Sequence, residues 1–238
     1  MSKFQFKQFT INQDRCAMKI GTDGVLLGAW TPIDSRPFAV LDIGAGTGIL
    51  SLMLAQRSAA EQIDAIEIDE EAFEQCVENF ENSAWSDRLY CYHAALDEFI
   101  EEMEDEEYDL IISNPPFYSE DYKTESEQRD LARFQEALPF EELIESTSRL
   151  LSENGVFATI IPHKEEEKFL AIAKQNNLFP FKITHVKGTP TSEIKRSLLA
   201  FSYTQKTTVQ TDELIIEKAR HQYTKEYTAL TKEFYLKM

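Results

Sequence analysis

No apolar run in this chain approaches the roughly 18 residues a helix needs to cross a bilayer. The opening Met1-Ser2-Lys3-Phe4-Gln5-Phe6 also lacks the apolar stretch of a secretory leader. A soluble, cytoplasmic protein with no membrane partner is expected. Cysteine is scarce. Cys16, Cys76 and Cys91 are odd in number and no two form a C-x-x-C pair, which argues against a disulfide framework and a thiolate zinc site. Histidine is nearly as rare: His93, His163, His185 and His221 are scattered, without partners at metal or triad spacing, so no metal is expected.

Basic residues are also under-represented, 24 Lys and Arg against 42 Asp and Glu, for a net charge of −18. Phosphate binding relies on cations, so the average opposes a nucleic-acid partner. The charge is segregated, however. From Lys182 to Met238 there are 10 Lys and Arg against 6 acids, whereas 8 of the 11 residues from Asp97 to Glu107 are acidic. Such an acidic run reads as a solvated helix or loop turned away from a polyanion, leaving the opposite edge for RNA.

What is present is a 238-residue chain, 42% hydrophobic, sufficient for one large domain. Strand-length apolar runs alternate with helical periods, the pattern of a sheet covered on both faces. Expected strands are Phe38 to Ile43, Ile63 to Ile68, Leu89 to Tyr92, Tyr108 to Ser113 and Val156 to Ile161, followed by a hairpin of Phe181 to Lys187 and Leu198 to Tyr203. Helices are expected over Gly48 to Gln56, about Glu70 to Asn82, and from Phe140 to a stop at Asn154-Gly155. The sum is a seven-stranded, mostly parallel α/β sheet with an antiparallel C-terminal hairpin and helices on both faces. A short N-terminal extension, 1–30, precedes a single domain, 31–238.

Two motifs carry chemistry. Leu41-Asp42-Ile43-Gly44-Ala45-Gly46-Thr47-Gly48 sits between the first strand and its helix, where glycines let backbone approach a ligand and a helix start offers unpaired N–H groups. The glycines do not follow G-x-G-x-x-G, because Ile49 stands where the last would be, so a small charged ligand without a pyrophosphate fits better. Asp42, Gly44, Gly46 and Gly48 are the cofactor candidates of this loop. Glu67, at the end of the second strand, can accept hydrogen bonds from two ribose hydroxyls, with Asp69 and Glu70 as neighbouring alternatives.

The second motif, Asn114-Pro115-Pro116-Phe117, begins 66 residues after Gly48 at the end of the fourth strand. An Asn114 amide oxygen and a Pro115 carbonyl can each accept one hydrogen of a planar amine, drawing its nitrogen toward nucleophilic geometry. Two prolines fix the turn, and Phe117 offers a face for stacking on a base. Together the motifs point to transfer of a methyl group from S-adenosylmethionine to an exocyclic nitrogen. Tyr118 and Tyr122 are further candidates for lining that pocket. Arg129, Arg133, Lys187, Lys195 and Arg196 are candidate phosphate contacts, each also readable as a solvated surface charge.

On these motifs, together with Phe6-Lys7-Gln8-Phe9, Cys16 to Trp30 and Ile66-Glu67-Ile68-Asp69, the chain resembles the class I methyltransferases. More narrowly, it resembles the bacterial tRNA1(Val) (adenine-37-N6)-methyltransferase family, over nearly its whole length. The resemblance implies a Rossmann-like fold, S-adenosyl-L-methionine as methyl donor, and adenine 37 of a valine tRNA as acceptor; the oligomeric state stays open, with a monomer favoured. It further implies that Lys19 to Asp23 cross over the cofactor, with Lys19, Thr22 and Asp23 among its contacts. Without it, Thr22-Asp23-Gly24 reads as a helix N-cap. Two positions depart from the family pattern: Phe117 replaces a common tyrosine, and Ala95 aligns with an aspartate that touches the donor's adenine, Asp97 following two residues later. Methylation of ribosomal RNA at guanine N2 or adenine N6, and of a protein glutamine amide, are the alternatives that share this turn.

Overall fold

The computed structural model describes residues 3–103, 106–116 and 138–237. Its main sheet contains β3 (Ala39–Ile43), β4 (Gln62–Glu67), β5 (Leu89–His93), β6 (Tyr108–Ser113), β7 (Leu151–Pro162), β8 (Phe179–Lys187), β9 (Ile194–Ser202) and β10 (Gln210–Ile215). They lie in the order β10-β8-β9-β7-β6-β3-β4-β5. β3, β4, β5, β6 and β7 pair in parallel, and β9 runs antiparallel to both β7 and β8. The expected mixed sheet is therefore present, with one strand more than the seven expected, because β10 adds in parallel to the outer edge of β8. Only Leu214 of β10 is buried, so its sequence has no apolar period to announce a strand.

Alternation along the strands divides the core in two. Val40, Leu110, Ile112, Ala158, Leu198 and Ala200 face α1 (Thr22–Trp30), α2 (Ile49–Arg57), α3 (Glu70–Glu81) and α7 (Lys225–Thr231). Leu41, Ile111, Phe157, Leu199 and Phe201 face α4 (Leu96–Glu102), α5 (Phe140–Leu150) and α6 (Glu166–Gln175). The acidic run forms α4 in part: Leu96, Phe99 and Ile100 are buried while Asp97, Glu98, Glu101 and Glu102 face solvent.

Beyond strand ends that shift by a few residues, two boundaries differ from expectation. Helix α5 stops at Leu150 and β7 begins at once, so Asn154-Gly155 lies inside the strand, near the register shift between Tyr108 and Leu110 of β6. Helix α1 is capped by Gly21, with Thr22 and Asp23 in its first turn. Among the described residues, no helix is long and apolar enough to cross a membrane.

The N-terminal hairpin, β1 (Lys3–Gln5) and β2 (Thr10–Asn12), lies against the other end of the chain: the Lys7 N–H donates to the Phe234 carbonyl at 2.8 Å, and Phe6 bridges Tyr235. Trp30 of α1 donates through Nε1 to Thr184 Oγ1 at 2.9 Å and stacks under the Lys182 ammonium, 4.5 Å from the ring centre. Strand order changes direction at β3, which has β4 on one side and β6 on the other. The carboxyl ends of those three strands form the crevice where open α/β sheets bind ligands.

Candidate active site

A cavity of about 420 Å3 occupies that crevice, within the roughly 300–1,000 Å3 of small-molecule sites. Its floor is the turn after β3. Gly44, Gly46 and Gly48 have φ of 74°, 54° and 76°. The Gly44 and Ala45 N–H groups both donate to the Ile66 carbonyl at 3.0 Å, tying the turn to the end of β4. At Gly48 a side chain is excluded twice over, by the positive φ and because a Cβ would stand 2.5 Å from Phe80 Cε1 and 2.9 Å from Cys76 Sγ on α3. A Cβ at Gly46 would meet nothing within 4 Å, so the floor is open there.

Glu67 closes one side. Its Oε2 accepts from the Gly46 N–H at 2.7 Å and its Oε1 from the Asp69 N–H at 3.0 Å, so the carboxylate is aimed before any ligand arrives. Asp69 also caps α3, accepting from the Ala72 N–H at 2.8 Å. Asp42 lies beneath this floor rather than in it. Fully buried, it accepts from the Ser51 N–H at 3.1 Å and the Ser51 hydroxyl at 2.7 Å, satisfying an amide in the first turn of α2 that Gly48 cannot cap. Burial pushes its carboxyl up to about 7 despite those hydrogen bonds.

The opposite wall comes from β6. The Ser113 hydroxyl donates to the Ile43 carbonyl at 2.9 Å, locking the strand end beside β3. Asn114, Pro115 and Pro116 then follow along the cavity, Pro115 buried and the other two half-buried. Phe117, Tyr118, Tyr122, Arg129 and Arg133 lie outside the described residues.

Three further segments complete the lining. Ala94, Ala95 and Leu96 follow β5, and with Ile66 and Ile68 they give an apolar slot suited to a flat base. Ala95 caps α4, whereas Asp97 points to solvent beyond it. Leu138, Pro139 and Glu142 come from the start of α5, and Cys16, Ala17 and Met18 from the segment before α1. The Cys16 thiol is pushed up to about 12, first by burial and then by the Glu67 and Asp69 carboxylates, so it is no nucleophile and instead registers the negative potential inside.

Lys19, Thr22 and Asp23 do not line the cavity. Lys19 and Thr22 are exposed, and Asp23 accepts from Arg196 Nε at 2.7 Å, an ion pair joining α1 to β9. Lys187 pairs with Glu213 at 2.7 Å, while Lys195 is exposed and 4.0 Å from Glu193. Sequence reading passed over Cys16 to Met18, although the segment that carries the family resemblance begins at Cys16. It had no means to find Leu138 to Glu142, since nothing in an amphipathic helix start marks it as a cavity wall.

The residues present fit S-adenosylmethionine: a carboxylate set for two hydroxyls, an apolar slot, a glycine floor open to the ligand, and Glu67 and Asp69 as negative groups beside a cationic donor. The family model described as "Methyltransferase small domain" matches residues 25–175. The chain is 69% identical, over 99% of its length and 100% of the relative, to a Flavobacterium johnsoniae protein named tRNA1(Val) (adenine(37)-N6)-methyltransferase. It is 44% identical, over 99% of its length and 98% of the relative, to a Bacteroides fragilis protein of the same name. Among solved structures it resembles one from Agrobacterium tumefaciens described as a predicted O-methyltransferase, with TM-score 0.69, 20% identity, and coverage of 89% of this chain and 96% of that one. It also resembles the ribosomal protein L11 methylase of Lactobacillus delbrueckii subsp. bulgaricus, with TM-score 0.52, 20% identity, and coverage of 75% and 76%. These two likenesses concern the fold.

Proposed function

The chain belongs to the tRNA1(Val) (adenine(37)-N6)-methyltransferase family of methyltransferase small-domain proteins, and from that premise we propose that it methylates the exocyclic N6 of adenine 37 in a valine tRNA, in the cytoplasm. The observation that carries the reading is the meeting of Asn114, Pro115 and Pro116 with Gly44, Gly46 and Glu67 around one cavity.

S-adenosylmethionine supplies a methyl group bound to a positively charged sulfur. Glu67 receives the ribose hydroxyls, the apolar slot of Ile66, Ile68 and Leu96 holds the donor's base, and Cys16 to Met18 cover it. In this division residues 1–30 serve as a cover and 31–238 as the catalytic domain. Asn114 and the Pro115 carbonyl each accept one hydrogen of the target amine, which turns its lone pair toward the donor side and relieves positive charge as it develops on nitrogen. Phe117 offers the stacking face for a base turned out of its helix. Lys195, the exposed cation on the β8–β9 hairpin, approaches phosphate, while the exposed acids of α4 follow β5, the strand at the other edge of the sheet.

Incubation with isotopically labelled S-adenosylmethionine and separate pools of tRNA, ribosomal RNA and protein tests the reading. Label is expected in tRNA as N6-methyladenosine. Label confined to ribosomal RNA or to protein would replace it with one of the alternatives that share the turn.

A further inference from the structure

Outside the cavity, one cluster of side chains stands apart. His163 lies in the short 3-10 turn His163–Glu165 that follows β7, Glu166 opens α6, and His185 sits near the carboxyl end of β8. Their nitrogen and carboxylate atoms all lie within 4.8 Å of one another. His185 Nε2 is 2.9 Å from Glu166 Oε2, and His163 Nδ1 is 3.2 Å from the same oxygen. Sequence reading left the two histidines unconnected, because 22 residues and a helix separate them; β9, paired with β7 on one side and β8 on the other, brings them together.

We propose that His163, Glu166 and His185 bind one divalent transition-metal ion of the zinc class. Ligands about 2.0–2.1 Å from a tetrahedral zinc stand about 3.3 Å from one another; the two histidine–Glu166 separations are already near that value, and the two imidazole nitrogens, within 4.8 Å, would draw together on the ion. Two imidazoles and a carboxylate suit Zn2+, Co2+ or Ni2+ rather than Mg2+ or Ca2+, which prefer all-oxygen cages. The Ser197 hydroxyl, opposite His185 on β9, also donates to Glu166 Oε2. Ser197 Oγ is in turn 2.9 Å from His163 Nδ1. Three neighbours converge on Oε2, and His185 Nε2 also reaches Oε1 at 3.2 Å, so the carboxylate faces both imidazoles at once; an ion shared by His163, His185 and Glu166 would take that place and leave Ser197 as the outer donor that orients the carboxylate.

The three side chains are 35%, 16% and 22% exposed in sequence order, sheltered enough to be held and open enough to leave a coordination position to solvent. None lines the cavity. The site nevertheless shares the catalytic edge of the sheet, since β7 pairs with β6 through Ser113 and Thr159 and ends at Pro162. A bound ion would fasten the start of α6 to the β8–β9 hairpin.

The test uses the full chain without a polyhistidine tag, stripped with a chelator and titrated with ZnCl2 by calorimetry, with CoCl2 absorption as a probe of ligand type. Expected is one ion per chain, nitrogen and oxygen ligation, and a Tm raised by about 5–10 °C at a hundredfold excess of metal over Kd. His185→Asn and Glu166→Gln should abolish both effects while the stripped variants unfold as cooperatively as the stripped parent. Ser197→Ala should weaken binding by about 10- to 100-fold. No ion bound by the parent, equal binding by His185→Asn, or a thiolate charge-transfer band with Co2+ would overturn the assignment, leaving a hydrogen-bonded cluster and nothing more.

Discussion

The two walls of the cavity are built differently. The donor wall, Gly44 to Gly48 with Glu67 and Asp69, spans 26 residues and is fixed by backbone: three positive φ angles, paired amides on the Ile66 carbonyl, and a carboxylate held by two N–H groups. The acceptor wall and cover bring together Asn114 to Pro116, Leu138 to Glu142 and Cys16 to Met18, segments that meet only once the sheet is assembled. One wall is set by local geometry and the other by tertiary packing. Substitutions should therefore separate donor binding from transfer.

The largest expected effect lies beneath the donor wall. Asp42 has a folded-state pKa raised from 3.8 to about 7, so its protonated form is favoured by folding and its ionised form opposed. The penalty is absent below about pH 4, grows as pH rises toward 7, and reaches at most about 4 kcal/mol above that. Urea denaturation of the parent and of Asp42→Asn across this window should give stabilities that diverge with rising pH. Parallel curves would remove Asp42 from the account.

Next comes Asn114→Ala on the acceptor wall. It should lower kcat on tRNA by about 10^2- to 10^3-fold while the S-adenosylmethionine Kd stays near that of the parent. A turnover number left intact would contradict the role given to the amide. Gly48→Ala attacks the donor wall through backbone and packing together, and should cost about 2–4 kcal/mol of stability, read from the denaturation midpoint. Stability equal to that of the parent would mean that α3 yields to the new methyl group. The smallest of the four is Glu67→Ala, expected to weaken S-adenosylmethionine by about 10- to 100-fold in calorimetry, since one charged acceptor of hydrogen bonds is lost. Equal affinity would transfer the ribose to Asp69.

This contrast also accounts for what could be read in advance. The glycine turn, Glu67 and the order β3-α2-β4-α3 were legible because φ demands, strand periods and helix caps are written within a few residues. The place of Asn114 on the cavity was legible because the apolar run from Tyr108 to Ser113 reads as a strand, and Asn114 follows its carboxyl end. Cys16 to Met18 and Leu138 to Glu142 were not, since what makes them lining is the crossing of distant segments. The strand β10 escaped notice because its partner β8 supplies the pairing while five of its six side chains stay out of the core. Asn154-Gly155 misled for a related reason: the dipeptide carries a helix-stop signal, yet Gly155 is placed by Leu151, whose Cδ1 would stand 2.7 Å from a Cβ there, on the strand that follows.

The joining of Phe6 and Lys7 to Phe234 and Tyr235 sets an order on the birth of the molecule. A ribosome delivers these partners about 225 positions apart, so the rings of Phe4, Phe6 and Phe9 emerge long before the segment that covers two of them has been made. Until then they are bait for chaperones and proteases, and a chain released short of Phe234 keeps that bait on display.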